Sequence, residues 1–314
     1  MSVFYEDLVR TLSLQDYNTR VVVFGTAALG IACGVVGAFM LLRKRALMGD
    51  ALSHATFPGL CLAYIVFQLA WGTGRSLPVL LGGAAISGII GVGCVLAIRN
   101  LTRIKEDAAM GIVLSVFFGF GTVLRDLALR MNTGSAAGLD GFIYGRTASM
   151  VAGDAWAIGG IALLCTIVLI IAYKELRLLC FDAAYARGIG RSVVGLDVLL
   201  MSLVTIVTVV GLQAVGLILV IALLIIPPAA ARFWTHRLGR MVVLSALIGA
   251  VSAVVGAVIS AVLADVPSGA VIVLTAAAFF CVSVVIGSEQ GLAVVAWRRA
   301  QMRKEHARPI GSVA

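Results

Sequence analysis

Asp50 and His54 form the clearest candidate metal site in this sequence. They are four residues apart, so on a helix their side chains share one face and can direct a carboxylate oxygen and an imidazole nitrogen at one point. This mixed pair suits Zn²⁺, Mn²⁺ or Fe²⁺, whereas Mg²⁺ and Ca²⁺ prefer shells made only of oxygen. We therefore predict a divalent transition metal ligand pair. The alternative is structural: Asp50 sits at the edge of an apolar segment and His54 bonds a neighbouring helix.

Three prolines inside apolar segments are predicted to bend helices. Pro58 follows His54 by four residues and leaves the His54 carbonyl without its usual N–H donor. Loose backbone groups at membrane depth are tolerated where a helix lines a cavity. Pro227 and Pro228 act in the same way later in the chain. The double proline is interpreted either as a gate or as a feature of helix shape.

The elements that must position these residues are membrane spans. Of the 314 residues 61% are hydrophobic and only 12% are charged, against about 25% charged in soluble domains. Apolar runs of roughly 17–23 residues, each sufficient for a ~30 Å hydrocarbon core, lie at 20–42, 55–71, 77–98, 108–124, 153–173, 193–212, 214–232, 241–263 and 268–286. The sequence therefore predicts an all-α polytopic membrane protein with about nine transmembrane helices. The count falls to eight if the hairpin predicted at 211–214 does not reach the outer surface.

The basic residues predict the orientation of the chain, because cytoplasmic loops are enriched in Lys and Arg. With nine spans, 18 of the 24 basic residues fall on one side, including Arg43, Arg45 and Arg99. The remaining six are Arg10, Arg20, Arg75, Arg125, Arg130 and Arg146. We therefore expect the amino end, 1–19, outside and the tail, 288–314, in the cytoplasm. Glu106 and Asp107 are interpreted as a helix cap.

Two connecting segments are long enough to contact other proteins. The segment 125–152 is predicted to lie outside and is rich in Gly, Ser and Asn, so it is a candidate contact for an external partner. The segment 174–192 is predicted to be a short amphipathic helix under the membrane, or else a solvated loop. The sequence has no GxxxxGK[ST] motif, so ATP, if used, binds to another chain. We expect no enzyme, since neither a nucleophile–base set nor HExxH occurs.

Four stretches resemble the membrane-spanning permeases of bacterial ABC importers for manganese, zinc and iron. Residues 47–59 (LMGDALSHATFPG) are similar to that family's GDAISHxxLPG stretch, and 105–112 (KEDAAMGI) to its acidic turn before a span. Residues 181–190 (FDAAYARGIG) are similar to its FDPEFAxxxG segment, and 215–232 to its VGxxLVxALLxxPAAxA span. The resemblance covers about residues 20 to 287, which would form one permease domain.

The resemblance implies a multi-pass protein of the bacterial inner membrane that works in a complex. The partners would be two cytoplasmic ATPase subunits that carry the ATP, a second permease, identical or paralogous, and an external metal-binding protein. Asp50 and His54 would be ligands on the transport path, and 178–190 would dock on the ATPase. The ATPase coupling residues would be Phe181, Asp182, Ala183, Tyr185 and Gly188. Pro228 departs from the single-proline pattern, and Ala183-Ala184 stands where the family has Pro-Glu.

Two other functions fit parts of the sequence. A permease for metal chelates or siderophores shares the architecture but does not require the Asp50 and His54 pair. A stand-alone secondary transporter would need more charged residues within its spans, or inverted repeats with broken helices. Competition by chelated metal and copurification with an ATPase separate these alternatives from a metal ABC importer.

Overall fold

The computed structural model describes residues 16–72, 76–131, 147, 150–263 and 266–306, and this part of the chain is helical without strands. Its twelve helices are α1 Tyr17–Leu42, α2 Ala46–Trp71, α3 Leu77–Leu101, α4 Glu106–Arg130, α5 Ala152–Ile171, α6 Tyr173–Phe181, α7 Ala183–Gly188, α8 Val193–Val215, α9 Leu217–Arg232, α10 Leu238–Val262, α11 Ser268–Ile286 and α12 Leu292–His306. Most of the segment 125–152, predicted to contact an external partner, lies outside the described residues.

Eight of these helices are long and apolar enough to cross a membrane: α1 to α5, α8, α10 and α11. The predicted all-α polytopic fold is confirmed. The ninth predicted span corresponds to α9, which has only 16 residues and is therefore about 24 Å long. The predicted number of nine thus becomes, within the described residues, eight helices of spanning length and one shorter apolar helix.

The turn between α8 and α9 lies at Gly216, so its predicted position at 211–214 was wrong. Helix α8 continues through that segment, and Gly216 adopts a φ of 85°, which only glycine reaches without strain. A Cβ atom on Gly211 would lie 2.5 Å from Cγ2 of Val220. This close approach shows that α9 folds back beside α8, and Gly211 serves that contact instead of the turn.

Helix α1 runs through the centre of the bundle, and glycines allow its backbone to approach α10 closely. A Cβ atom on Gly30 would lie 2.5 Å from the carbonyl oxygen of Gly249. One turn later, Ser245 Oγ donates a 2.7 Å hydrogen bond to the carbonyl of Gly34. Small residues drive helix association in membranes by permitting such contacts. The two helices therefore form a rigid support for the rest of the bundle.

Helix α2 packs between α3 and α4. A Cβ atom on Gly59 would overlap the carbonyl oxygen of Gly83, so α2 and α3 touch backbone to backbone. On the other side, a Cβ atom on Gly121 of α4 would lie 2.5 Å from the ring of Phe57. These contacts fix the position of the helix that carries Asp50 and His54.

Candidate functional site

The structure brings Asp50 and His54 together as predicted. Helix α2 begins at Ala46, so both residues are helical and lie near its amino end. His54 Nε2 is 3.3 Å from Asp50 Oδ1, and the side chains are 18% and 32% exposed respectively. Hydropathy placed the start of this span at residue 55 because Asp50 and His54 themselves interrupt the apolar run. Because both side chains are partly exposed, the pair is accessible, unlike a buried structural ion pair.

The imidazole of His54 is held by an aromatic neighbour on α4. Its ring lies edge-on to Phe118, with ring centroids 4.7 Å apart and planes at 77°. The second nitrogen, Nδ1, is buried and has no hydrogen-bond partner among the described residues. Packing against Phe118 therefore orients the ring so that Nε2 faces Asp50.

Asp50 and His54 can supply two ligands to a metal ion. Within the described part of the chain, no group of three or more His, Cys, Asp or Glu side chains is placed to hold a metal. Structural zinc sites in proteins use four protein ligands. Two ligands on a partly exposed helix leave the other coordination positions to water or another molecule. Such an arrangement suits an ion that binds briefly and leaves.

The backbone around Pro58 is supported by hydroxyl groups. Ser87 Oγ of α3 donates a 2.6 Å hydrogen bond to the Ala55 carbonyl. Within α2, Ser53 Oγ donates to the Gly49 carbonyl at 2.6 Å. Helix α2 continues through Pro58 and ends at Trp71. The bend at Pro58 stays a prediction.

The double proline of α9 is buried against α1. Pro228 removes the N–H that would bond the Leu224 carbonyl, and Gly37 of α1 lies against that carbonyl. A Cβ atom on Gly37 would overlap the Leu224 oxygen and lie 2.9 Å from Cγ of Pro228. Pro228 is therefore a packing residue at the α1–α9 contact, Pro227 is buried beside it, and the role of both as a gate stays a prediction.

The segment predicted as one amphipathic helix consists of two short helices, α6 and α7. They meet at Asp182, whose Oδ1 accepts a 2.8 Å hydrogen bond from the backbone N–H of Tyr185 and caps α7. Leu176 and Leu179 face the bundle and are buried, whereas Phe181 and Tyr185 are more than half exposed. Of the other predicted coupling residues, Asp182 and Gly188 are exposed and Ala183 is half-buried. The amphipathic character is as predicted, and the break at Asp182 was not.

A buried charge cluster is the feature that sequence reasoning missed. Asp197 of α8 accepts hydrogen bonds from Arg43 Nη2 at 2.8 and 3.0 Å, and from Arg45 Nη2 at 3.2 Å. Arg45 also pairs with Glu106, and Arg99 Nη1 lies 3.5 Å from Glu106 and 3.7 Å from Asp197. The side chains of Arg45 and Asp197 are only 2% and 3% exposed. These five residues are called the Asp197 cluster below.

Its members were overlooked because they come from five separate helix ends. The arginines were assigned to topology and Glu106 to a helix cap, both of which are local interpretations. The available signal was Asp197 itself, the single acid in an otherwise apolar run. A charged residue in such a segment is expensive unless it is paired.

The cluster also holds α6. Arg43 Nη1 donates a 3.2 Å hydrogen bond to the Leu179 carbonyl. The neighbouring Cys180 thiol lies 3.9 Å from the Phe39 carbonyl of α1. Burial raises the pKa of Cys180 to about 11, so the thiol stays protonated and can donate at neutral pH. Two polar contacts therefore attach α6 to the end of α1.

Fold and site together define a class of protein: a polytopic helical membrane protein with a partly exposed Asp–His pair on one of its inner helices. The model of the ABC 3 transport family matches residues 15–287. The chain belongs to this family of membrane transport proteins.

Two curated relatives and one solved structure illustrate the similarity. The chain is 42% identical over 298 residues to the manganese transport system membrane protein MntC of Bacillus subtilis (strain 168), covering 95% of this chain and 67% of that protein. It is 39% identical over 287 residues to the zinc transport system membrane protein TroC of Treponema pallidum (strain Nichols), covering 91% and 95%. The structure of PsaBC from Streptococcus pneumoniae in complex with Fab matches with a TM-score of 0.77 and 30% identity, covering 96% and 99%.

Proposed function

We propose that this chain is the permease subunit of an ATP-driven importer for a divalent transition metal ion: manganese, zinc or iron. Family membership indicates transport, and relatives named for manganese and zinc support the cargo class. The observation that carries the proposal is the Asp50 and His54 pair, with Nε2 and Oδ1 3.3 Å apart on a partly exposed helix.

The pair suits a cargo ion better than a resident one. Its two ligands are of the oxygen and nitrogen types that transition metals accept. Affinity at such a site rises from Mn²⁺ towards Cu²⁺, so the pair by itself does not select manganese. An external metal-binding protein that delivers the ion therefore decides which metal is imported. Pro58 and the Pro227–Pro228 pair would shape the helices that line the path.

The ATP would be hydrolysed by two cytoplasmic subunits that contact α6 and α7. Phe181, Tyr185 and Ile189 follow each other at intervals of four residues, and all three are more than half exposed. Phe181 ends α6, Tyr185 belongs to α7 and Ile189 follows α7, and a partner protein can cover these exposed apolar side chains. A second permease, identical or paralogous, completes the membrane part of the complex. Purification of the tagged chain from its native membrane should retain an ATPase, whereas a stand-alone transporter would not.

The structure supports the proposed orientation in the inner membrane. The Asp197 cluster gathers the ends of α1 and α3 and the starts of α2, α4 and α8. If these helices cross the membrane alternately, all five ends lie on one side, which the basic residues indicate is the cytoplasm. The α8–α9 hairpin preserves this alternation. The amino end would then lie outside and the carboxyl end in the cytoplasm.

Asp50→Ala and His54→Ala variants test the proposal. Each should abolish uptake of radioactive manganese into proteoliposomes that contain the complete complex, while the complex still assembles and hydrolyses ATP. His236→Ala is the matched control, because His236 is exposed and pairs with Glu289 outside the candidate path. Uptake at the wild-type rate in both variants would show that Asp50 and His54 do not bind the transported ion.

A further inference from the structure

We propose that the Asp197 cluster is a positioning element that transmits movement of α6 and α7 to the metal-binding end of α2. The inference rests on the proposed function, in which α6 and α7 contact the ATPase and Asp50 and His54 hold the ion. Arg43, Asp197 and Arg45 would be the positioning residues, none of which touches the ion.

The connection between the two regions is short and polar throughout. Arg43 donates to the Leu179 carbonyl of α6 and to the carboxylate of Asp197. The same carboxylate accepts from Arg45, the residue that caps the start of α2. Asp50 follows Arg45 by five residues, little more than one helical turn. Helix α6 therefore cannot shift without changing contacts that place the start of α2.

Burial makes these contacts strong. A pair of buried charges that loses one partner leaves the other uncompensated, so the pair resists separation. Both carboxylate oxygens of Asp197 are used by arginines, and the Asp197 side chain is almost completely buried. A displacement of any one member is therefore passed to the others.

The cluster also has spare donors, which permits a second arrangement. It contains three arginines against two carboxylates. Arg43 Nε is buried without a hydrogen-bond partner among the described residues, and Arg45 Nη1 lies 3.2 Å from Asp197 Oδ1 without forming a hydrogen bond. Arg99 Nη1 is 3.7 Å from Asp197, close enough to replace a shorter contact after a small shift. Transmission between sites requires an element with two discrete arrangements, and an exchange of arginines on Asp197 provides them.

The decisive readout is the number of manganese ions imported per ATP hydrolysed by the complete complex in proteoliposomes. Asp197→Asn keeps the side-chain shape and removes the charge. It should lower this ratio at least about fivefold, the lower range of measured coupling between sites, while ATP hydrolysis continues. Asp197→Glu should recover part of the ratio. The matched control is Asp126→Asn, since Asp126 forms an exposed pair with Arg130 at 2.8 Å.

A double variant separates coupling from folding. Asp197→Asn leaves three arginines, of which Arg45 is buried, with one carboxylate, so it also lowers stability. Adding Arg43→Gln removes one cation and should restore thermal stability towards that of the wild type. The double variant should nevertheless stay uncoupled, because the link from Leu179 to α2 is absent. Recovery of the wild-type ratio together with stability would overturn the proposal and assign the cluster to folding alone.

Manganese binding to the same preparations distinguishes this inference from the proposed function. Asp50→Ala should lose binding, whereas Asp197→Asn should keep it. Wild-type coupling in Asp197→Asn, or loss of binding equal to that of Asp50→Ala, would contradict the positioning role. Wild-type binding in Asp50→Ala would instead contradict the proposed cargo site and leave the coupling ratio as a separate result.

Discussion

The two charged regions among the membrane helices differ in how deeply their charged side chains are buried. Asp50 and His54 belong to one helix, are partly exposed and leave room for further ligands. The Asp197 cluster draws on five helix ends and buries Asp197 and Arg45 almost completely. An open pair can exchange an ion with its surroundings, whereas a closed cluster can only hold helices or rearrange as a unit. This difference is the reason why we propose cargo binding for the first region and positioning for the second.

The Asp197 cluster and the Asp50–His54 pair should differ most in how much each contributes to the stability of the protein. Arg45→Gln leaves Glu106 and Asp197 with fewer partners and should lower the free energy of unfolding by about 3–5 kcal/mol. Thermal unfolding of the purified protein measures the effect. The matched control, Arg130→Gln, breaks the exposed pair with Asp126 and should change it by about 0–1 kcal/mol. If Arg45→Gln and Arg130→Gln lowered the free energy of unfolding equally, the buried Asp197 cluster would contribute no more to stability than an exposed ion pair.

Removal of the imidazole ligand should weaken metal binding without lowering the stability of the protein. His54→Gln should weaken Mn²⁺ binding at least about tenfold, because even the residues that support metal ligands contribute that much. Its melting temperature should stay close to that of the wild type, since the ring is partly exposed. Equilibrium binding and thermal unfolding on one preparation measure both, with His236→Gln as the control. A variant that unfolds early but binds normally would reverse the assignment.

The smallest effect should come from the residue that orients His54. Phe118→Leu removes the edge-on contact, worth about 0.5–1.5 kcal/mol, and should weaken Mn²⁺ binding about two- to tenfold. Phe120→Leu on the same helix is the control, because among the described residues His54 has its ring contact with Phe118 and not with Phe120. No change with Phe118→Leu would show that the ring of His54 is positioned by α2 alone.

The membrane architecture and the proximity of Asp50 and His54 could be predicted because their signals are local. Apolar runs identify spans wherever they occur, and a spacing of four residues places Asp50 and His54 on one face whatever the rest of the fold. The amphipathic character of α6 and α7 follows from the same kind of periodicity.

The remaining features depend on contacts between distant residues. The sequence alone does not distinguish Gly211 from Gly216 as the turn residue between α8 and α9. In the structure Gly211 packs against Val220, and Gly216 adopts the positive φ of the turn. The Asp197 cluster joins residues up to 154 positions apart. Charge near span ends predicts the side of the membrane but not the partner, so no local pattern could assemble these five side chains.

If His54 and Asp50 hold the transported ion, pulsed electron paramagnetic resonance of Mn²⁺ bound to the complete complex should detect both ligands. We expect a hyperfine coupling from one imidazole nitrogen that disappears in His54→Gln and persists in His236→Gln. The chain contains only three histidines, and because partner proteins can contribute others, the loss of the coupling in His54→Gln is the result that assigns the nitrogen to this chain. A manganese signal without nitrogen coupling, or a coupling that survives in His54→Gln, would show that His54 does not bind the ion.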